Sequence, residues 1–442
     1  MLRRIALAVV LLVLVALVAV VGMAYWFLSG DGIREALEQQ ASVRLQQPVT
    51  IGSASVQLYP RLGVALRDVR IGNPARVTLA RAAVSTGLRA LLSHRIVDAE
   101  VLVADSEISL PLPPLPAATA TEPPTGGGPN NTTPAQGLAV ESVSRISLSN
   151  IAVTSRGRRI TVSGESSLAG SLLTITAMTV ATEQSSVAVR ARVLLEPSVT
   201  IDADLSAKAL DLDDLVALAA AFSPAPTTPG TRASTSTPAV RLTARVSAGS
   251  AKAAGLDLEA LTSVVRLAGT RLSLSPTSFR VFGGRYDGDL DIDMRDSAVM
   301  KLTTRITGID VARLAAFGGA DGTVTGRLSG NATVTGRGAD LASVLATARG
   351  TGNVSIVDGT IRRLNLLRTV VVFFGRPAPA SPPASDRFSR MDARITLADG
   401  IARAEAFSMA SPDADIAGQG SLNLATTALD GHLDLSLSEA LS

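Results

Sequence analysis

The chain contains no cysteine, which excludes disulfides, thiolate metal ligands and thiol nucleophiles. Aromatic residues make up only 3% of the sequence, with one Trp. Thick cores lean on Phe, Tyr and Trp because each buries a large area. An apolar mass of Ala, Val, Leu and Ile suits a thin or one-sided core instead. Two histidines are present, His94 and His432, and neither has a partner at metal-ligand spacing. There is no Gly-x-Ser-x-Gly elbow, no Ser-x-x-Lys pair, no Walker loop and no complete Gly-x-Gly-x-x-Gly. No enzyme is expected, and no cofactor is implied. Charge of one sign is scarce too. A net charge of +3 spread along 442 residues does not make a nucleic-acid surface.

One long apolar run is present. Ile5 to Leu28 carries no charge, and about 24 helical residues rise about 36 Å, enough for a hydrocarbon core of about 30 Å. Arg3 and Arg4 precede the run, and Tyr25, Trp26 and Phe27 close it. Positive residues stay cytoplasmic and aromatics favour the interface, which predicts a retained anchor with the bulk of the chain on the far side. A cleavable signal peptide, the alternative, has a shorter apolar region and ends in small residues.

After the anchor a short helix is predicted from Asp31 to Leu45, with Ile33, Leu37 and Ala41 at helical spacing. The period then changes to two. Val187–Leu195, Val199–Ala209, Arg241–Ser247, Tyr286–Met294, Lys301–Thr307 and His432–Leu437 alternate apolar and polar residues. In Tyr286–Met294 the four carboxylates Asp287, Asp289, Asp291 and Asp293 share one face. Such alternation means strands with one apolar and one wet face. The fold class is mainly β, with roughly 20 strands joined by hairpin-type turns and a few short helices, so the apolar face must fold onto itself or receive something apolar from outside. Ala398-Asp399-Gly400 and Val357-Asp358-Gly359 read as hairpin turns. Leu210–Val216 and Ile309–Ala315 form a faint repeat in which a strand gives way to a short Asp-capped helix.

Stretches rich in Pro, Ser, Thr and Gly divide the chain. Residues 1–30 are the cytoplasmic start and anchor, and 31–110 a first β region. Residues 111–138 form a linker, 139–222 a middle β region, 223–238 a loop and 239–442 a C-terminal β region. A further such stretch is Arg376–Ser385. Strand alternation explains the acidic series, which lacks the Gly and Glu of a calcium loop. The basic Arg156-Gly157-Arg158-Arg159 reads as a solvated turn or a contact for lipid headgroups.

The passage Val49-Thr50-Ile51-Gly52, Ser55-Val56-Gln57-Leu58-Tyr59-Pro60 and Leu62 through Pro74, following an anchor and a short helix, resembles the bacterial AsmA family. Leu88–Asp98 is similar to the family's next step, and Phe282-Gly283-Gly284-Arg285-Tyr286-Asp287-Gly288 to its aromatic-Gly-Gly strand turn. Gly350–Ile361, with a short helix to follow at Leu364–Phe374, is similar to its C-terminal module. The resemblance implies an inner-membrane, single-pass protein facing the periplasm and related to bridge-type lipid transfer proteins. Such a protein is a long curved antiparallel sheet forming an elongated groove, about 100 Å long if about 20 strands at about 4.8 Å each run across it; it holds phospholipid acyl chains on the apolar face of that groove and contributes to outer-membrane assembly or homeostasis. It implies membrane phospholipid as a partner, with an envelope protein on the outer-membrane side. The expected lining is Val187, Val189, Val193, Ile201, Leu205, Leu242, Val246, Leu290, Ile292, Leu302 and Ile306. The alternative is a non-enzymatic periplasmic scaffold whose sheet closes on a dry core and recruits envelope assembly factors.

Overall fold

The computed structural model describes residues 31–57, 61–87, 95–112, 139–140, 142–223, 240–295, 298–319, 322, 324–338, 341–361, 387–412, 414–423 and 428–437. The expected anchor, Pro-rich linkers and Leu364–Phe374 helix lie outside them. No helix among the described residues is long and apolar enough to cross a membrane. The chain forms two compact units: Met1–Pro197 with Asp214–Thr235, and Ser198–Asp213 with Ser236–Ser442.

The first unit opens with helix α1 (Asp31–Leu45). Strands β1 (Val49–Gln57), β2 (Leu62–Ile71), β3 (Val77–Thr86), β4 (Arg95–Ile96) and β5 (Ala99–Leu110) follow. Next come β6 (Ala139–Val140), β7 (Ser142–Ser155), β8 (Arg158–Ala169), β9 (Leu172–Ala181) and β10 (Ser186–Leu194). The ladder runs β1-β2-β3-β5-β7-β8-β9-β10, with β4 and β6 as a separate parallel pair. In the second unit β11 (Thr200–Asp211) is followed by helix α2 (Leu212–Phe222), whose residues from Asp214 onward belong to the first unit. The second unit continues with β12 (Arg241–Ala253), β13 (Leu256–Ala268), β14 (Arg271–Val281), β15 (Gly284–Asp293), β16 (Val299–Asp310), helix α3 (Val311–Phe317), β17 (Arg327–Arg337) and helix α4 (Leu341–Ala346). It ends with β18 (Arg349–Thr360), β19 (Arg387–Ala398), β20 (Ile401–Ala410), β21 (Ala414–Asn423) and β22 (Leu429–Leu437). Here each strand pairs with the next in sequence.

An antiparallel sheet was expected, and two pairings correct it. Strand β5 runs parallel to β7, and β11 parallel to β12. A parallel neighbour needs a crossover of a dozen or more residues. The Pro-rich stretch before β7, and α2 with the residues after it, supply those lengths. A second correction concerns Val357-Asp358-Gly359, which is no turn. It lies inside β18, where Asp358 takes a left-handed φ of 51° and the ring of Phe388 occupies the space a side chain on Gly359 would need. Asp399-Gly400 is a turn as expected, with φ of 50° and 76°, the two positive values of a tight hairpin. The repeat also folds as read. Strands β11 and β16 each end on an Asp that opens a helix, and the Asp310 carboxylate accepts from the N–H groups of Ala312 and Arg313 at 3.0 and 3.3 Å.

A seam crosses the first unit. The pairing skips Gly52 opposite Asp68, then Ala80, Asp105 and Asn150 on successive strands. Asp68, Asp105 and Asn150 hold φ near 50°, a conformation that Asp and Asn tolerate best after Gly. The Asn150 amide donates to the Asp105 carboxylate at 3.0 Å and ties the seam together. Apolar positions step by three across it, as in Leu66–Val69 and Leu148–Ile151, so one face stays apolar from end to end.

Candidate apolar binding face

Strand registers assemble that face residue by residue. In the first unit one row runs Val187, Val180, Val162, Ile151, Ser106, Leu79, Val69 and Ile51. The next runs Val189, Met178, Gly164, Leu148, Val103, Ala82, Leu66 and Ala54, and Val193 heads a shorter row through Leu173, Leu168 and Val143. In the second unit Ile201, Leu242, Leu267, Leu272, Ile292 and Met300 lie side by side. So do Ala203, Ala244, Val265, Leu274, Leu290, Leu302, Val334, Gly350, Leu397 and Ala402. Leu205 faces Val246, and Ile306 faces Tyr286, whose ring stacks on Phe279 with centroids 4.4 Å apart. All eleven expected residues thus sit in apolar rows: three in the first unit and eight in the second.

Among the described residues, the rows are poorly covered. Each of the eleven residues is only half-buried. Val84, Leu422 and Leu433, in the same or adjoining rows, are 48%, 37% and 59% exposed. The most buried positions are largely small, such as Ala203, Ala244, Ala248 and Ala251, and no large side chain among the described residues is completely buried. A sheet with a second layer on this face would bury its Leu and Ile outright.

Among the described residues, helices touch the rows only at their margins. On α1, Leu37, Ala41 and Leu45 pack on the cluster of Val49, Ile51 and Val69. Its Glu38 carboxylate and Ser42 hydroxyl accept from the Ile51 and Val49 N–H groups at 2.6 and 2.9 Å. The edge of β1 is thereby blocked against pairing with another strand. Helix α3 sets Phe317 against Phe282, ring centroids 5.6 Å apart, at one end of the second unit's strands. Helix α4 lays Val344 on Gly336 at the other end.

The opposite face is polar, and the charges of the acidic series on β15 are matched locally by cations and hydroxyls: Arg285 forks onto Asp287, Arg295 pairs with Asp293, Ser275 bonds Asp289, and Lys301 stands opposite Asp291. The Arg295 guanidinium holds Asp293 down at about 2, and that of Arg285 lowers Asp287. Among the described residues no three His, Cys, Asp or Glu side chains are placed to hold a metal ion. His432 pairs with Asp434 at 3.3 Å on an exposed strand.

The Arg156–Arg159 cluster is a solvated turn as expected, joining β7 to β8 with Arg156, Gly157 and Arg159 exposed, and two of its arginines are engaged by the protein. Arg156 donates to the carbonyls of Ala220 and Ser223, and Arg158 to the buried Asp214 at 2.9 Å. The Asp214 carboxylate also accepts from the Thr182 hydroxyl at 2.8 Å. The cluster clamps α2 over the ends of β7–β10. Phe282 and Gly283 make the turn before β15, and Gly284, the first residue of that strand, lets β16 approach, since a side chain there would meet Ile309 N at 2.5 Å.

Reading the sequence missed Val265, Leu267, Leu272 and Leu274, which are as central as Leu290. Bulges after Glu259, Ser263 and Leu274 break the alternation that would have revealed them. Polar interruptions were missed as well: Ser263 and Thr277 share a hydroxyl hydrogen bond of 2.7 Å within the apolar rows.

The sequence profile of the AsmA family matches residues 173–407. The chain belongs to the AsmA family. The AsmA match takes in the Phe282–Gly288 turn and the Gly350–Ile361 module, whereas the N-terminal passage Val49–Pro74 precedes the matched residues. It also contains all eleven expected lining residues. No curated protein and no solved structure matches the chain.

Proposed function

We propose that this AsmA-family protein holds phospholipid acyl chains on the apolar rows of its sheet and serves lipid transport and outer-membrane homeostasis from the inner membrane, with the described units in the periplasm. The observation that carries the reading is the half-exposed apolar rows that the sheet of each unit presents on one side, backed strand for strand by a polar face. Such a face is expensive to leave in water. Each methylene covered returns about 0.8 kcal/mol, so an acyl chain binds without a specific polar site, and the lipid headgroup stays in solvent. Family membership supports a bridge-like lipid carrier. The anchor read from Ile5–Leu28 supports the placement, and an outer-membrane-side protein partner completes the route.

The test is face-selective crosslinking in a diderm host. A photoreactive aromatic residue is placed at Leu302, at Ile306, or at Thr303 between them on the polar face, and adducts are identified by mass spectrometry. Phospholipid adducts at Leu302 and Ile306 but not at Thr303 are expected. Protein adducts at all three, with no lipid, would replace this reading with a scaffold.

A further inference from the structure

The polar face carries a hollow of about 480 Å³ over β17–β20, on the side of the sheet away from the apolar rows. The hollow is open to solvent, and Asn331, Asn353 and Arg394 on its wall are all exposed. Strand register builds its wall. Asn331, Asn353 and Arg394 stand directly opposite one another on β17, β18 and β19. Adjacent strands lie about 4.8 Å apart, so the three side chains present their donors within about 10 Å. None of the three side chains hydrogen-bonds or pairs with another described residue.

The lone carboxylate of the hollow, Asp392, is already engaged. Arg390 pairs with it at 2.6 Å, and Arg390 together with Ser355 holds it below the usual carboxylate range. The Arg394 guanidinium is therefore the uncompensated charge of the site, flanked by two amides that can donate alongside it.

We propose that this hollow binds a phosphate ester. A tetrahedral oxyanion offers acceptors in several directions and can engage Arg394, Asn353 and Asn331 together, whereas a carboxylate satisfies the guanidinium fork alone. The space beyond the phosphate accommodates the alcohol part of the ester. The ester comes either from a phospholipid headgroup, a diester, or from a soluble monoester. The proposal is independent of acyl-chain binding, which uses the other face.

The experiment is calorimetric titration of the purified full-length chain with glycerol 3-phosphate, a monoester, and with glycerophosphoethanolamine, a soluble diester. Saturable millimolar or tighter binding of one of them is expected. Arg394→Gln and Asn353→Ala should each weaken it, the former by about tenfold or more, the effect of losing one charge-assisted hydrogen bond. Arg403→Gln removes the same charge from the same face outside the hollow and should leave binding unchanged. Preference for the diester identifies a headgroup source, and preference for the monoester a soluble one. Absence of saturable binding to either probe, or equal loss in Arg394→Gln and Arg403→Gln, overturns the proposal.

Discussion

Leu290→Asp is the sharpest perturbation of the apolar face. Leu290 lies between Leu274 and Leu302 in the longest apolar row and is half-buried. A carboxylate there keeps water over itself and its neighbours. An acyl chain crossing the row then loses cover for about four methylenes, or about 3 kcal/mol, which lowers the binding constant about a hundredfold. The cost to folding is smaller. Complete burial of a Leu contributes about 1.5–3 kcal/mol, so a half-buried one contributes about 1 kcal/mol, and the ladder hydrogen bonds are unaffected. The assay is lipid occupancy of the purified protein by native mass spectrometry, with a thermal melt beside it. Thr333→Asp, on the polar face opposite Thr303 and Thr351, is the control. Wild-type occupancy in a folded Leu290→Asp protein would refute the argument that the rows hold lipid.

Gly284→Ala forces a methyl group onto the backbone of Gly308 and Ile309, at 2.5–2.7 Å. Overpacking of this kind costs about 1–3 kcal/mol, to be read as a lower midpoint in urea. Asp214→Ala removes the anchor of α2. With Arg158 40% exposed and partly screened, the loss is about 2 kcal/mol, and faster hydrogen exchange in α2 than in β12–β16 checks it. Asp293 titrates at about 2 because Arg295 hydrogen-bonds its carboxylate. A depressed carboxylate contributes stability above its ordinary value of 3.8 and loses it as pH falls through about 2. Carboxyl NMR should therefore find the Asp293 midpoint moving up toward 3.8 in Arg295→Gln.

Much of the architecture was legible because period-two alternation is a local property. Tyr286–Met294 and Lys301–Thr307 each declare which side is apolar, and the structure places Leu290, Ile292, Leu302 and Ile306 on one face. Asp310 announced the start of α3 by the same local logic. Where a residue in a left-handed conformation interrupts a strand, the alternation skips and the signal fails. Asp68, Asp105 and Asn150 did this in the first unit, and bulges in β13 and β14 concealed Leu272 and Leu274. Asp358-Gly359 misled for a related reason, since the same dipeptide serves a hairpin turn or a kink within a strand.

By itself, then, the sequence determined the strand content and the one-sided apolar pattern, because each depends on residue type and spacing along a short segment. Only the tertiary structure decided which strands are neighbours. It set β5 parallel to β7 and β11 parallel to β12, and turned Arg156 and Arg158 into a clamp on α2. It also lined up Asn331, Asn353 and Arg394 beside a hollow. Those outcomes depend on register between segments far apart in the chain, and register is fixed by the summed pairing and packing of whole strands.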